Sequence, residues 1–378
     1  GDREHAVIPG ALTNYPILTG FTSCEDLQLE SGASLTLNPA SGLTVYGELD
    51  NRGTLEVRSD ASGSGSLIVA GQVSSEATGQ VSIQSFFTAD QWHIFAPPVS
   101  GQSLKDFLEN TSNSIAKKTS PPEFYGMTDY DEATNSWNNF YTGGESGNLI
   151  SGQGYLTRRQ DSDGTVTASG SLIASDFSLP IAASNAGWNA VGNPFSSAIG
   201  VTSDATTTEN FLTTNLDQLD PNYSVLYLWD EAPEYDGTQN NYKVIGNAGY
   251  IDNHNYPELD MDYLQAGQGF LVKSISGGGS LLFTRAMQSH NNIVPVLKQA
   301  RASWHGFKLV AVHGDRREST IISFNEEMTL GLDPSYDAGL LNSKPDFSIY
   351  SRLLEGDQGI NFKIQCLPHP DSSDWVLP

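Results

Sequence analysis

The chain has 378 residues and carries 44 Asp and Glu against 19 Lys and Arg, a net charge of −25. No basic block interrupts that balance, which excludes a phosphate backbone as partner and with it nucleic acid. No apolar run approaches the ~18 residues of a membrane-spanning helix. With 37 Gly, 18 Pro and only 17% charged residues, the composition is turn-dense and predicts an all-β chain of two or three domains.

Residues 1–85 repeat a small unit in which two apolar residues at alternate positions precede a turn. The pairs are Leu27/Leu29, Leu35/Leu37, Leu43/Val45, Leu55/Val57, Leu67/Val69 and Val81/Ile83. Alternation puts both members of a pair on one strand face, and stretches such as Glu30-Ser31-Gly32 and Asp50-Asn51-Arg52-Gly53 read as turns. The similarity between units favours a short β-solenoid over an antiparallel meander. Few cations line it, so it reads as a stalk or cap and not as the groove of a polysaccharide lyase.

Residues 86–290 form one unit written twice, with copies at about 86–180 and 181–290. Trp92-His93-Ile94-Phe95-Ala96-Pro97-Pro98 answers to Trp188-Asn189-Ala190-Val191-Gly192-Asn193-Pro194, and Tyr130-Asp131-Glu132-Ala133 to Trp229-Asp230-Glu231-Ala232. Gly152-Gln153-Gly154-Tyr155-Leu156 answers to Gly267-Gln268-Gly269-Phe270-Leu271, with Arg158 and Arg159 or Lys273 following. Such a duplication predicts a β-sandwich-like module built of two similar sheets or two half-barrels packed about a pseudo-two-fold axis. The alternate glycines mark close backbone approach, since neither copy continues into a phosphate-binding loop. A short helix capped by Ser103 is expected through Glu109, and Asp163-Gly164 reads as a hairpin turn.

Residues 291–378 carry strand patterns at Phe307–Val312, Thr320–Phe324, Phe347–Tyr350 and Phe362–Cys366, a β-sandwich-like spacing. Val376-Leu377-Pro378 reads as the start of another strand, so the natural chain is expected to continue, and the missing apolar leader suggests a processed start. Cys24 and Cys366, the only cysteines, lack the spacing of a zinc or redox site and favour two separate buried thiols over one long bridge.

Taken as a set, Ser31-Gly32-Ala33-Ser34-Leu35-Thr36-Leu37, Gly187-Trp188-Asn189-Ala190-Val191-Gly192-Asn193-Pro194-Phe195, Gly267-Gln268-Gly269-Phe270-Leu271-Val272 and Tyr336-Asp337-Ala338 before Ile364-Gln365-Cys366-Leu367-Pro368 resemble large secreted or cell-surface proteins of the Bacteroidota. Those proteins usually end in a type IX secretion sorting domain, which is absent from these residues. The resemblance implies export and surface display, and it transfers no catalytic residue.

A search for chemistry finds no Gly-x-Ser-x-Gly and no His-Glu-x-x-His, and the seven His residues are scattered. His93, inside an apolar run, reads as a packed strand residue. Glu231, Glu234 and Asp236 lie near Trp229 and Tyr235, and a glycosidase would need two such acids across a cleft. Glu258, Asp260 and Asp262 alternate with apolar residues and could hold calcium from one strand face. Rings at Trp137, Tyr141, Trp229, Tyr235 and Tyr242, beside Asn residues, could stack on sugars. The resulting expectation is a non-catalytic display or adhesion protein, extracellular or on the outer cell surface, with glycans or other surface proteins as partners and no cofactor except calcium. A carbohydrate-binding protein using the aromatic loops and a polysaccharide-acting enzyme are the alternatives.

Overall fold

The computed structural model describes residues 4–229, 242–248, 262–291, 304–314, 316–341 and 347–368. The chain begins with three stacks of parallel strands that it visits in rotation. Ala6–Ile8, Leu27–Leu29, Glu48–Asn51 and Gln72–Val73 form the first stack. Ile17–Leu18, Ser34–Leu37, Thr54–Val57 and Gln80–Phe87 form the second, and Phe21–Cys24, Gly42–Val45 and Ser66–Val69 the third. This is a three-sided β-solenoid. Parallel stacking places equivalent positions of successive coils over one another: Leu35 pairs with Leu55 and Leu55 with Val81, while Leu43 pairs with Leu67. All twelve residues of the six apolar pairs are buried.

One side of the solenoid escaped the sequence pattern. Asp50 and Asn51 belong to the strand Glu48–Asn51 and not to a turn. Asn51 is buried, donating to the Gln80 carbonyl and accepting from the Gly53 amide. The coils also turn so tightly that a Cβ on Gly71 would collide with the Gly47 carbonyl oxygen directly beneath it.

The strand Gln80–Phe87 joins the solenoid to the rest. It pairs in parallel with Thr54–Val57 on one side and antiparallel with Gly164–Gly170 on the other. The division expected between residues 85 and 86 falls inside it, so solenoid and first copy share one sheet and one apolar core. Because Gly164–Gly170 pairs here, Asp163-Gly164 is not a hairpin turn. It is a corner between sheets, secured by buried Arg159, whose guanidinium donates to the carbonyls of Ser112, Asn113, Ser162 and Thr165.

The two copies have the same topology. The first sheet runs Trp92–Phe95, Tyr155–Arg158, Met127–Asp131, Ser136–Trp137; the second runs Trp188–Gly192, Gly269–Lys273, Leu226–Trp229, Tyr242–Ile245. Each copy adds a two-strand pair and a short helix. Leu104–Glu109 is capped by Ser103, and Phe211–Asn215, which the sequence pattern did not flag, is capped by Asn210. The copies interlock reciprocally. Ala96 N donates to Gly267 O at 2.9 Å, and at the equivalent positions Gly192 N donates to Gly152 O at 2.8 Å. Phe95 bridges Gln268 just as Val191 bridges Gln153. Gly154 and Gly269 permit this: a Cβ on either would lie within 3 Å of backbone atoms of the other copy.

The C-terminal sheet has the order His305–His313, Arg316–Phe324, Phe362–Leu367, Ala338–Gly339. Phe347–Tyr350, expected as a strand, is irregular. The sheet lies on the second copy, where Ala338, Ile364 and Cys366 share a core with Trp188, Tyr227 and Leu271, and Tyr227 Oη donates to Gly339 O at 2.7 Å. Cys24 and Cys366 are free and buried in different cores. Among the described residues no helix is long and apolar enough to cross a membrane.

Two predictions follow from this packing. Leu55 is wholly buried, so Leu55→Ala should destabilise the protein by about 2–5 kcal/mol in denaturant unfolding. Asp337 accepts from the amides of Cys366 and Asp333, yet burial outweighs these bonds and pushes its carboxyl up to about 7. The folded state therefore holds a proton that the unfolded chain releases near pH 4. Stability should fall as pH rises from about 4 to 7, by up to about 4 kcal/mol, and Asp337→Asn should remove that slope.

Candidate functional site

The aromatic residues singled out in the sequence occupy equivalent places in the two copies. Tyr130 and Trp137 face each other across adjacent strands with ring centroids 5.1 Å apart. Trp229 and Tyr242 repeat the arrangement at 5.1 Å in the second copy. All four are half-buried against the core shared with Trp188 and Tyr227. Tyr141 packs on the solenoid-side core, where burial and nearby Asp129 raise its hydroxyl pKa. Tyr235 lies outside the described residues, as do Glu231, Glu234 and Asp236.

The cations after each Gly-Gln-Gly run serve the same packing. Arg158 sits across from Trp92 and Lys273 across from Trp188. Arg158 lies over the Trp92 ring, and Lys273 Nζ is 4.0 Å from the Tyr223 centroid while pairing with Asp220. In the first copy the Trp92 ring stacks on Phe140 at 5.4 Å, and Phe140 on Phe124 at 5.3 Å, with Lys118 over the far end. This column joins three separated segments, and a cation lies by the ring at each end of it. His93 is a strand residue whose ring packs 4.4 Å from Phe87.

Of the proposed calcium ligands, Glu258 and Asp260 lie outside the described residues. Asp262 is buried and accepts a hydrogen bond from Thr202 Oγ1. Among the described residues no group of three His, Cys, Asp or Glu side chains could hold a metal ion.

The concave feature nearest the sequence candidates is a cleft of about 290 Å³ between the copies. Tyr130 and Asp131 form one wall, Leu179, Ala190 and Val191 are apolar lining, and Gln153 projects from the first Gly-Gln-Gly run. Beside it lies Glu132, which the sequence did not single out. It accepts from the backbone amides of Ser184, Asn185 and Gly187 at 2.8–2.9 Å and from the Ser184 hydroxyl. Burial alone would raise its pKa, but the hydrogen bonds from the Ser184 hydroxyl and from the Gly187, Asn185 and Ser184 amides outweigh it and hold the carboxyl down to about 2. Glu132 is thus an anionic latch from the first copy to the loop entering the second. Its partners are mainly backbone amides, which have no sequence signature.

Removing the charge should weaken that latch. Glu132→Gln should lower stability at pH 7 by about 2–4 kcal/mol, a difference that shrinks as pH falls from about 4.5 toward 2, where the wild-type carboxylate is itself protonated. Denaturant unfolding at pH 7 and pH 3 measures both effects. Comparison with curated proteins finds no match, and neither does comparison with solved structures. One family, described as a domain of unknown function (DUF8693), matches residues 2–376. The match spans solenoid, duplicated module and C-terminal sheet together, and the chain belongs to that family.

Proposed function

We propose that this protein is an exported, non-catalytic display or adhesion module on the outer cell surface. The observation that carries the reading is the sharing of the strand Gln80–Phe87 between solenoid and module, which makes a stiff body from parts that could have been linked flexibly. The buried polar groups near the cleft support it. Glu132, the first-copy counterpart of Glu231, is engaged by four donors in holding the copies together. A carboxylate so held has no proton to give and no room to act as a base at neutral pH. The test is a panel of polysaccharides incubated with the protein. No turnover, together with binding to intact cells or glycans, is expected; turnover abolished by Glu231→Gln would overturn the reading.

A second reading is favoured by the inter-copy cleft. Tyr130 supplies an aromatic wall, and the Gln153 carboxamide has no hydrogen-bond partner among the described residues. Asp131 and Glu132 make the cleft acidic, which disfavours anionic ligands and suits a neutral sugar. If the protein binds neutral oligosaccharides on an array, Gln153→Ala should weaken binding about tenfold with unfolding unchanged. Binding unaffected by that substitution places the sugar elsewhere.

A further inference from the structure

The third stack of the solenoid meets the second copy along a seam. Leu67 N donates to Ser196 O, and the Leu67 carbonyl accepts from Ser196 Oγ. Arg285 Nη1 donates to the carbonyls of Ala70 and Gly71, while Asp176 accepts from the Arg285 amide. His290 supplies a further tie. Its Nε2 lies 2.7 Å from Thr44 Oγ1 and its Nδ1 2.8 Å from Ser66 Oγ, so one ring spans two neighbouring coils. The ring fits because Gly42 carries no side chain: a Cβ there would lie 2.8 Å from Nδ1. The Phe21 ring packs beside it, with centroids 5.8 Å apart.

This double bridge needs a neutral imidazole. A neutral ring offers one N–H and one bare nitrogen, so one hydroxyl accepts from it and the other donates to it. A second ring proton makes both nitrogens donors, and the hydroxyl that donated must turn away. The strands packed at the seam supply no charge to offset that proton. Phe21–Cys24, Gly42–Val45 and Ser66–Val69 on one side, with Ala198–Gly200 and Gln288–Ser289 on the other, hold no charged residue. Cys24, their only titratable group besides His290 itself, lies in the solenoid core. Arg285 and Asp176 meet the chain beyond the far end of Ser66–Val69, and Glu25 and Asp26 follow Cys24 at the end of its strand. Burial is what moves the imidazole, and it moves it below its ordinary value. The tie is therefore complete above the ordinary His range and is lost as pH falls through and below it.

We propose that His290 makes this seam a pH-sensitive brace. Near neutral pH it holds the third stack against the second copy. Its protonation in mildly acidic surroundings releases that stack, while the shared strand Gln80–Phe87 keeps the solenoid attached, so a stiff body gains a bend. Arg285 keeps its charge throughout this range and the Ser196 bonds are neutral, so neither of those ties responds.

The test is amide hydrogen exchange of the whole chain at about pH 7.5 and pH 5, values on either side of the ordinary His range, each rate corrected for the intrinsic rate at that pH. The Leu67 amide, bonded to Ser196, reports the seam, and Gln80–Phe87 is the internal reference. Protection around Leu67 should fall at least about threefold at the lower pH while the reference strand keeps its own. His290→Gln retains a donor and an acceptor without titrating and should abolish the difference between the two pH values. Arg285→Gln should lower protection equally at both. The local readout separates this effect from that of Asp337, which lies against a different core. Protection around Leu67 that does not change with pH, an acid-dependent loss that persists in His290→Gln, or equal loss in both strands would each overturn the proposal.

Discussion

The architecture depends on the hydrogen bonding of one strand. Gln80–Phe87 is the last rung of a parallel stack and the first strand of an antiparallel pair. A parallel solenoid ends in an exposed ladder of amides and carbonyls, and such an edge must be capped or it recruits another chain. Here the cap is Gly164–Gly170 from the first copy. The third stack is closed by the second copy, whose Ser196 exchanges hydrogen bonds with the main chain of Leu67, while His290 bridges Thr44 and Ser66 on its outer face. The solenoid is therefore finished by the module.

The duplication shows what two copies of one sequence do in different surroundings. Trp92 and Trp188 occupy equivalent strands, each facing a cation on the neighbouring strand. Trp188 is buried among Tyr223 and Tyr227 beneath the C-terminal sheet. Trp92 is covered by Phe140, which stacks in turn on Phe124. The fold is common to both, and the solvent exposure of each face is set by what lies on it.

The parts of this arrangement legible in the sequence were those governed by local period. The apolar pairs of the solenoid obey strict alternation and all are buried, and the all-β class followed from turn density. The glycines of the two Gly-Gln-Gly runs announced a close approach that the inter-copy contacts supply. Asp50-Asn51-Arg52-Gly53 misled because its composition is that of a turn, whereas stacking on neighbouring coils makes its first half a strand. Asp163-Gly164 misled for the same reason, the true partner of Gly164–Gly170 being some 80 residues earlier in the chain. Glu132 carried no signal because its partners are mostly main-chain amides, available to any sequence.

The joint strand also imposes an order on assembly. A chain emerging from its amino terminus can stack its first coils as soon as they appear, each new rung resting on the one before. When Phe87 has emerged, the second stack still ends in an open ladder, and it stays open until Gly170 is available to close it. During that interval the nascent protein carries an unpaired strand with an apolar face. Holding it apart from other chains falls to whatever accompanies the protein during synthesis, and a fragment cut after Phe87 would retain that exposed edge permanently.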